Sequence, residues 1–198
     1  YKIILALFST FFTLFLINLG YKPEFIGIVS GFMSLSSIFS SLIFGTVCLR
    51  SKNYFFYIML GFLGLLLTFT FLFVSTSSLS ILISAFFLSF LVPTTYFALI
   101  SFLNYNFKNV EERVGSLESI GGLAWVVGLA IGCFTISLFS PSQLLTYLFL
   151  ATFLSFFVIF YSFGENLVER FYYSLLKDFG LLPWIEKLVE KTIKMEEK

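Results

Sequence analysis

Residues 45–58 read GTVCLRSKNYFFYI. Arg50 and Lys52 stand together in a short polar gap, with Gly45 ahead of them and an aromatic run behind. Most of the chain on either side is oily, so two cations at this point need a reason. Their position in the charge pattern of the whole chain supplies it.

That pattern is sparse. Of 198 residues, 59% are hydrophobic, 12% are charged and 30 are Phe, and the mean hydropathy is +0.99. The charged share is about half that of an ordinary soluble domain. A water-soluble chain of this length has no way to bury so much apolar surface, which places the sequence in the membrane class. A net charge of +1 without basic clusters leaves no electrostatic footprint for nucleic acid. There is no His, and Cys48 and Cys133 fall in separate apolar stretches, so neither a metal site, a cofactor site nor a disulfide framework is expected. Without His the usual Ser–His and metal constellations of intramembrane proteases are missing, and the reading is not an enzyme.

Charge-free gaps divide the chain. They run over 3–21, 25–49, 53–107 and 119–164. A membrane-spanning helix needs about 20 apolar residues, so the first two gaps hold one helix each and the last two a pair each. The turns inside the long gaps fall at Ser75–Ser80, which is rich in serine, and at Ser140–Gln143, where Pro141 follows a Ser. The expectation is an all-α integral membrane protein with six transmembrane helices, at about 3–20, 25–49, 54–74, 79–103, 116–139 and 143–163. Residues 1–164 form the membrane domain and 165–198 a charged cytoplasmic segment.

Orientation follows from Lys and Arg. With both termini cytoplasmic, Lys2, Arg50, Lys52, Lys108, Arg113, Arg170 and Lys177 all lie inside, and Lys22 alone lies outside. Arg50 and Lys52 therefore hold a cytoplasmic loop, either as topology anchors alone or with a further role. Residues 165–198 carry more than half of all the charges, and their last part places Ile185, Leu188, Val189 and Ile193 on one stripe. This predicts an amphipathic helix lying on the membrane or a partner, or a solvated linker.

The helices differ in kind. The second has small residues at 27, 31, 34, 37, 41 and 45, and the fifth has Gly121, Gly122, Ala124, Gly128 and Gly132. Faces of this kind let helix backbones approach closely; Gly27, Gly31, Gly122, Gly128 and Gly132 are the expected packing positions. The third and sixth are mostly Phe, Leu, Ile and Val, and are expected to face lipid. The first and fourth carry polar groups, among them Thr13 and Asn18, then Thr94, Thr95 and Tyr96 beside Pro93. These residues line a solute pathway or form helix–helix hydrogen bonds. Near the cytoplasmic start of the fifth helix, Arg113 is expected to pair with Glu118 or with Glu111, as a hydrated ion pair of little energy.

The stretch GYKPEFIGIVSGF, followed by a small-rich helix ending in G-x-x-x-x-R-x-K, resembles the N-terminal half of a major facilitator superfamily transporter. Gly45 and Arg50 match that family's loop signature between the second and third helices, whereas Leu49 stands where the Asp belongs, Lys52 where the second Gly does and Asn53 where a basic residue does. SIGGLAWVVGLAIGC is similar to a glycine run of some members' fifth helix. The resemblance implies a half bundle working by alternating access with a second six-helix half, covalent or paired. It also implies a gating loop at Gly45, Arg50 and Lys52, and a small-molecule solute carried across a cell membrane; a pathway lined by Asn18, Thr94, Thr95 and Tyr96 would suit a neutral or amphipathic solute better than a strongly charged one. A non-transporting scaffold or assembly protein of six helices is the alternative.

Overall fold

The computed structural model describes residues 2–50 and 53–163. Lys52 of the expected gating loop and the expected amphipathic segment 165–198 lie outside them. All the regular elements among the described residues are helices: α1 (Lys2–Asn18), α2 (Pro23–Arg50), α3 (Tyr54–Val74), α4 (Ser78–Phe90), α5 (Thr94–Asn106), α6 (Val110–Leu138) and α7 (Pro141–Phe163). Five stretches are long and apolar enough to cross a membrane, with α4 and α5 together counted as one, and α1 is a shorter apolar helix. Helices suit this composition because they satisfy every backbone polar group within one segment. The chain divides into a unit of residues 1–157 and a unit of residues 158–198, of which 158–163 complete α7.

Gly20 ends α1. It adopts φ +80°, a conformation that costs an L side chain roughly 1–2 kcal/mol. Its N–H donates to the Ile17 carbonyl (2.9 Å) while the Tyr21 N–H reaches back to Leu16 (3.1 Å), the paired bonds of a Schellman cap. The Tyr21 hydroxyl then donates to the Thr76 carbonyl at 2.6 Å, fastening this turn to the one between α3 and α4.

The core is aromatic. Phe8, Phe11, Phe12 and Phe15 of α1 are buried with Leu65, Phe69 and Leu72 of α3 and with Leu144, Leu145 and Leu148 of α7. Phe8 meets Phe69 edge to face, ring centroids 5.2 Å apart. Although Leu63, Phe73 and Val74 remain exposed along it, the third helix, expected to face lipid, is among the best covered. Gly61 and Gly64 explain why: a Cβ on Gly61 would collide with Thr95, and one on Gly64 would come within 2.5 Å of Leu91. Glycine at these two positions lets α3 lie directly on α4 and α5.

The expected fourth helix is two helices. Pro93 has no N–H to donate, and the Thr94 N–H turns to the Leu91 carbonyl (3.0 Å) instead of continuing the ladder. The Phe90 carbonyl loses that donor and accepts from the Ser40 hydroxyl of α2 at 2.6 Å. The break is therefore tied to a neighbouring helix.

Candidate functional site

The first, fifth and sixth elements converge on a cleft. Along α1 and α6, Gly121 lies against Lys2, Gly128 against Ile3 and Ala6, and Gly132 against Leu7 and Thr10. The numbers rise together, so the two helices run in the same direction. A Cβ at Gly128 would stand 2.7 Å from both the Ala6 Cβ and the Ile3 carbonyl oxygen. Close approach at Gly121 and Gly128 brings the start of α1 against α6, and α5 closes the third side.

The cleft has a volume of about 710 Å³; Lys2, Pro93, Tyr96, Glu118 and Trp125 are among the residues lining it. That is within the roughly 300–1,000 Å³ of small-molecule sites. The Lys2 ammonium stands 3.4 Å from the Glu118 carboxylate, with the two side chains 30% and 45% exposed. It also lies over the Tyr96 ring, 5.5 Å from its centroid, within cation–π range. Tyr96 and Glu118 thus line the same cleft, each in contact with the Lys2 ammonium. Glu118 is eight residues into α6, about 12 Å along it at 1.5 Å per residue. Tyr96 is ten residues from the end of α5.

Two expectations about this region change. The helix expected from residue 116 begins at Val110, so Glu118 lies two turns along it and not at its start. Its partner is Lys2 and not Arg113, whose guanidinium lies over the Phe107 ring, 5.0 Å from the centroid. Residues five apart on a helix do not share a face, whereas those three or four apart do.

Of the expected pathway residues, Tyr96 lines the cleft. Thr94 and Thr95 are buried and turned the other way: Thr94 donates to the carbonyls of Tyr57 (2.8 Å) and Leu91 (2.6 Å), Thr95 to that of Ile58 (3.3 Å). The bonds to Tyr57 and Ile58 are helix–helix hydrogen bonds. Thr13 is exposed, and Asn18 borders a separate space of about 60 Å³ with Phe11, Phe15 and Pro141. Arg50 is exposed as the last residue of α2. A Cβ at Gly27, Gly31, Gly45 or Gly122 would meet nothing within 4 Å, whereas Gly128 and Gly132 pack on α1. Sequence reasoning missed Lys2 and Trp125 as lining residues. The available signal was their chemistry: a cation at the head of an apolar helix, and a Trp among the glycines of α6.

Comparison with family models, with curated proteins and with solved structures finds no match to this chain.

Proposed function

We propose that this chain is the N-terminal six-helix half of a major facilitator-type secondary transporter. It carries a small amphipathic solute across a membrane by alternating access, with both ends of the half on the cytoplasmic side. The observation that carries this reading is the cleft itself. An ion pair and a tyrosine lie among α1, α5 and α6, with Glu118 two turns in from the start of α6. A charged pair set in an otherwise apolar and aromatic wall suits a small solute with both polar and apolar parts. The bare small-residue face of α2 (Gly27, Gly31) supports the companion expectation, a second half packing there.

The full-length protein reconstituted in vesicles tests it. Entry of amphipathic solutes should be saturable, and Tyr96→Ala should slow it at least roughly tenfold while insertion stays normal. Correctly inserted protein that moves none of a broad solute panel would make the scaffold reading the correct one.

A further inference from the structure

The cleft already contains one ligand group, supplied by the protein. Lys2 brings an ammonium to the Glu118 carboxylate and over the face of Tyr96, at the end of a flexible four-carbon stem. Both contacts are loose. At 3.4 Å the ion pair is well beyond the roughly 2.7–2.9 Å of a tight ammonium–carboxylate bond, and both partners keep access to water. Leu5, Pro93, Trp125 and Val126 make the rest of the wall largely apolar and aromatic.

We propose that this cleft binds amphipathic organic cations, an ammonium on a compact apolar body, and that Lys2 holds the place of that ammonium as a tethered competitor. The chemistry discriminates among solutes. A second ammonium exchanges with Lys2 at Glu118 and Tyr96, and its apolar body lies against Trp125 and Pro93. An anion entering the cleft meets the Glu118 carboxylate and has Lys2 alone to pair with. A neutral solute gains apolar contact but neither ionic nor cation–π attraction. This deepens the transport reading by naming the solute class, and it rests on that reading only for the solute's passage.

Equilibrium binding to the full-length protein in nanodiscs of zwitterionic lipid is the test. The probes are benzyltrimethylammonium, whose charge is permanent, benzyl alcohol, benzoate and the zwitterion phenylalanine. Calorimetry gives affinity, and the part of the Trp fluorescence change that is lost in Trp125→Phe, with Trp184 retained, reports on Trp125. Lys2→Met should tighten benzyltrimethylammonium by a factor within the range typical of coupled sites, about 5-fold to 150-fold, and should weaken phenylalanine. Glu118→Gln should weaken the cation by more than about tenfold, and the double variant should show no gain over Glu118→Gln alone. Lys2→Met without tightening, or benzoate or benzyl alcohol binding as well as the cation, overturns the proposal. Vesicle flux separates the two claims. Cation binding without flux sinks transport and leaves the site, whereas flux of benzoate or benzyl alcohol without cation binding sinks the site and leaves transport.

Discussion

Gly128 shows how much one missing side chain decides. With Ala6 and the Ile3 backbone only 2.7 Å from where its Cβ would be, any larger residue must push α1 off α6, and with it Lys2 off Glu118. Gly122, six residues earlier, has open space at the same test. Gly128→Leu should therefore destabilise the solubilised protein by about 1–3 kcal/mol, the usual range for overpacking, while Gly122→Leu is close to neutral. Thermal melts in detergent compare them directly, and equal losses would show that α1 and α6 do not touch at this point. The sequence flags both glycines as packing positions and is silent on which one meets a neighbour. That choice depends on how far α6 is rotated, which is fixed by contacts with α1 more than a hundred positions away. The same distance hides the Lys2–Glu118 pair behind the nearer Arg113.

At the scale of elements, the positions of most apolar helices were legible because charge is confined to the ends of apolar runs: 54–74 is observed as Tyr54–Val74, and 143–163 as Pro141–Phe163, whereas the helix expected over 3–20 ends at Asn18 and is shorter than a span. The division of the fourth span was less so. Pro93 announces a disturbance, but whether a helix bends or stops depends on what receives the released carbonyls. Here Ser40 takes the Phe90 carbonyl and Thr94 the Leu91 carbonyl. Likewise Gly61 and Gly64, three apart, were visible as small residues, yet the Phe and Leu around them made α3 look lipid-facing. If the break and Ser40 form one device, their energies are coupled. Ser40→Ala should cost about 1 kcal/mol with Pro93 in place and much less in a Pro93→Ala background, where the Thr94 N–H returns to Phe90. A double-mutant cycle on unfolding free energy measures the coupling; additive effects would mean that Ser40 does nothing particular for the break.

At the scale of the whole molecule, apolar surface is distributed unevenly. In α2, Ile28, Leu35, Ile38, Phe39 and Leu42 are all more than half exposed beside the bare Gly27 and Gly31; in α6, Ile120, Leu123 and Val126 are as well. Leu154 on α7 is equally exposed, 64% against 62% for Ile28, but its face is built of bulky residues with no glycine. Lipid covers a bulky face well, whereas a glycine groove is filled best by another helix. The two faces should therefore behave differently in a membrane. Nitroxide labels attached through cysteines at position 31 or 123, in the full-length protein with the exposed Cys133 changed to Ser, should be shielded from lipid-dissolved oxygen, while a label at 154 should be open to it. Gly31→Cys as accessible as Leu154→Cys would mean that lipid covers α2. In that case no second half packs on this groove, and alternating access loses the partner it requires.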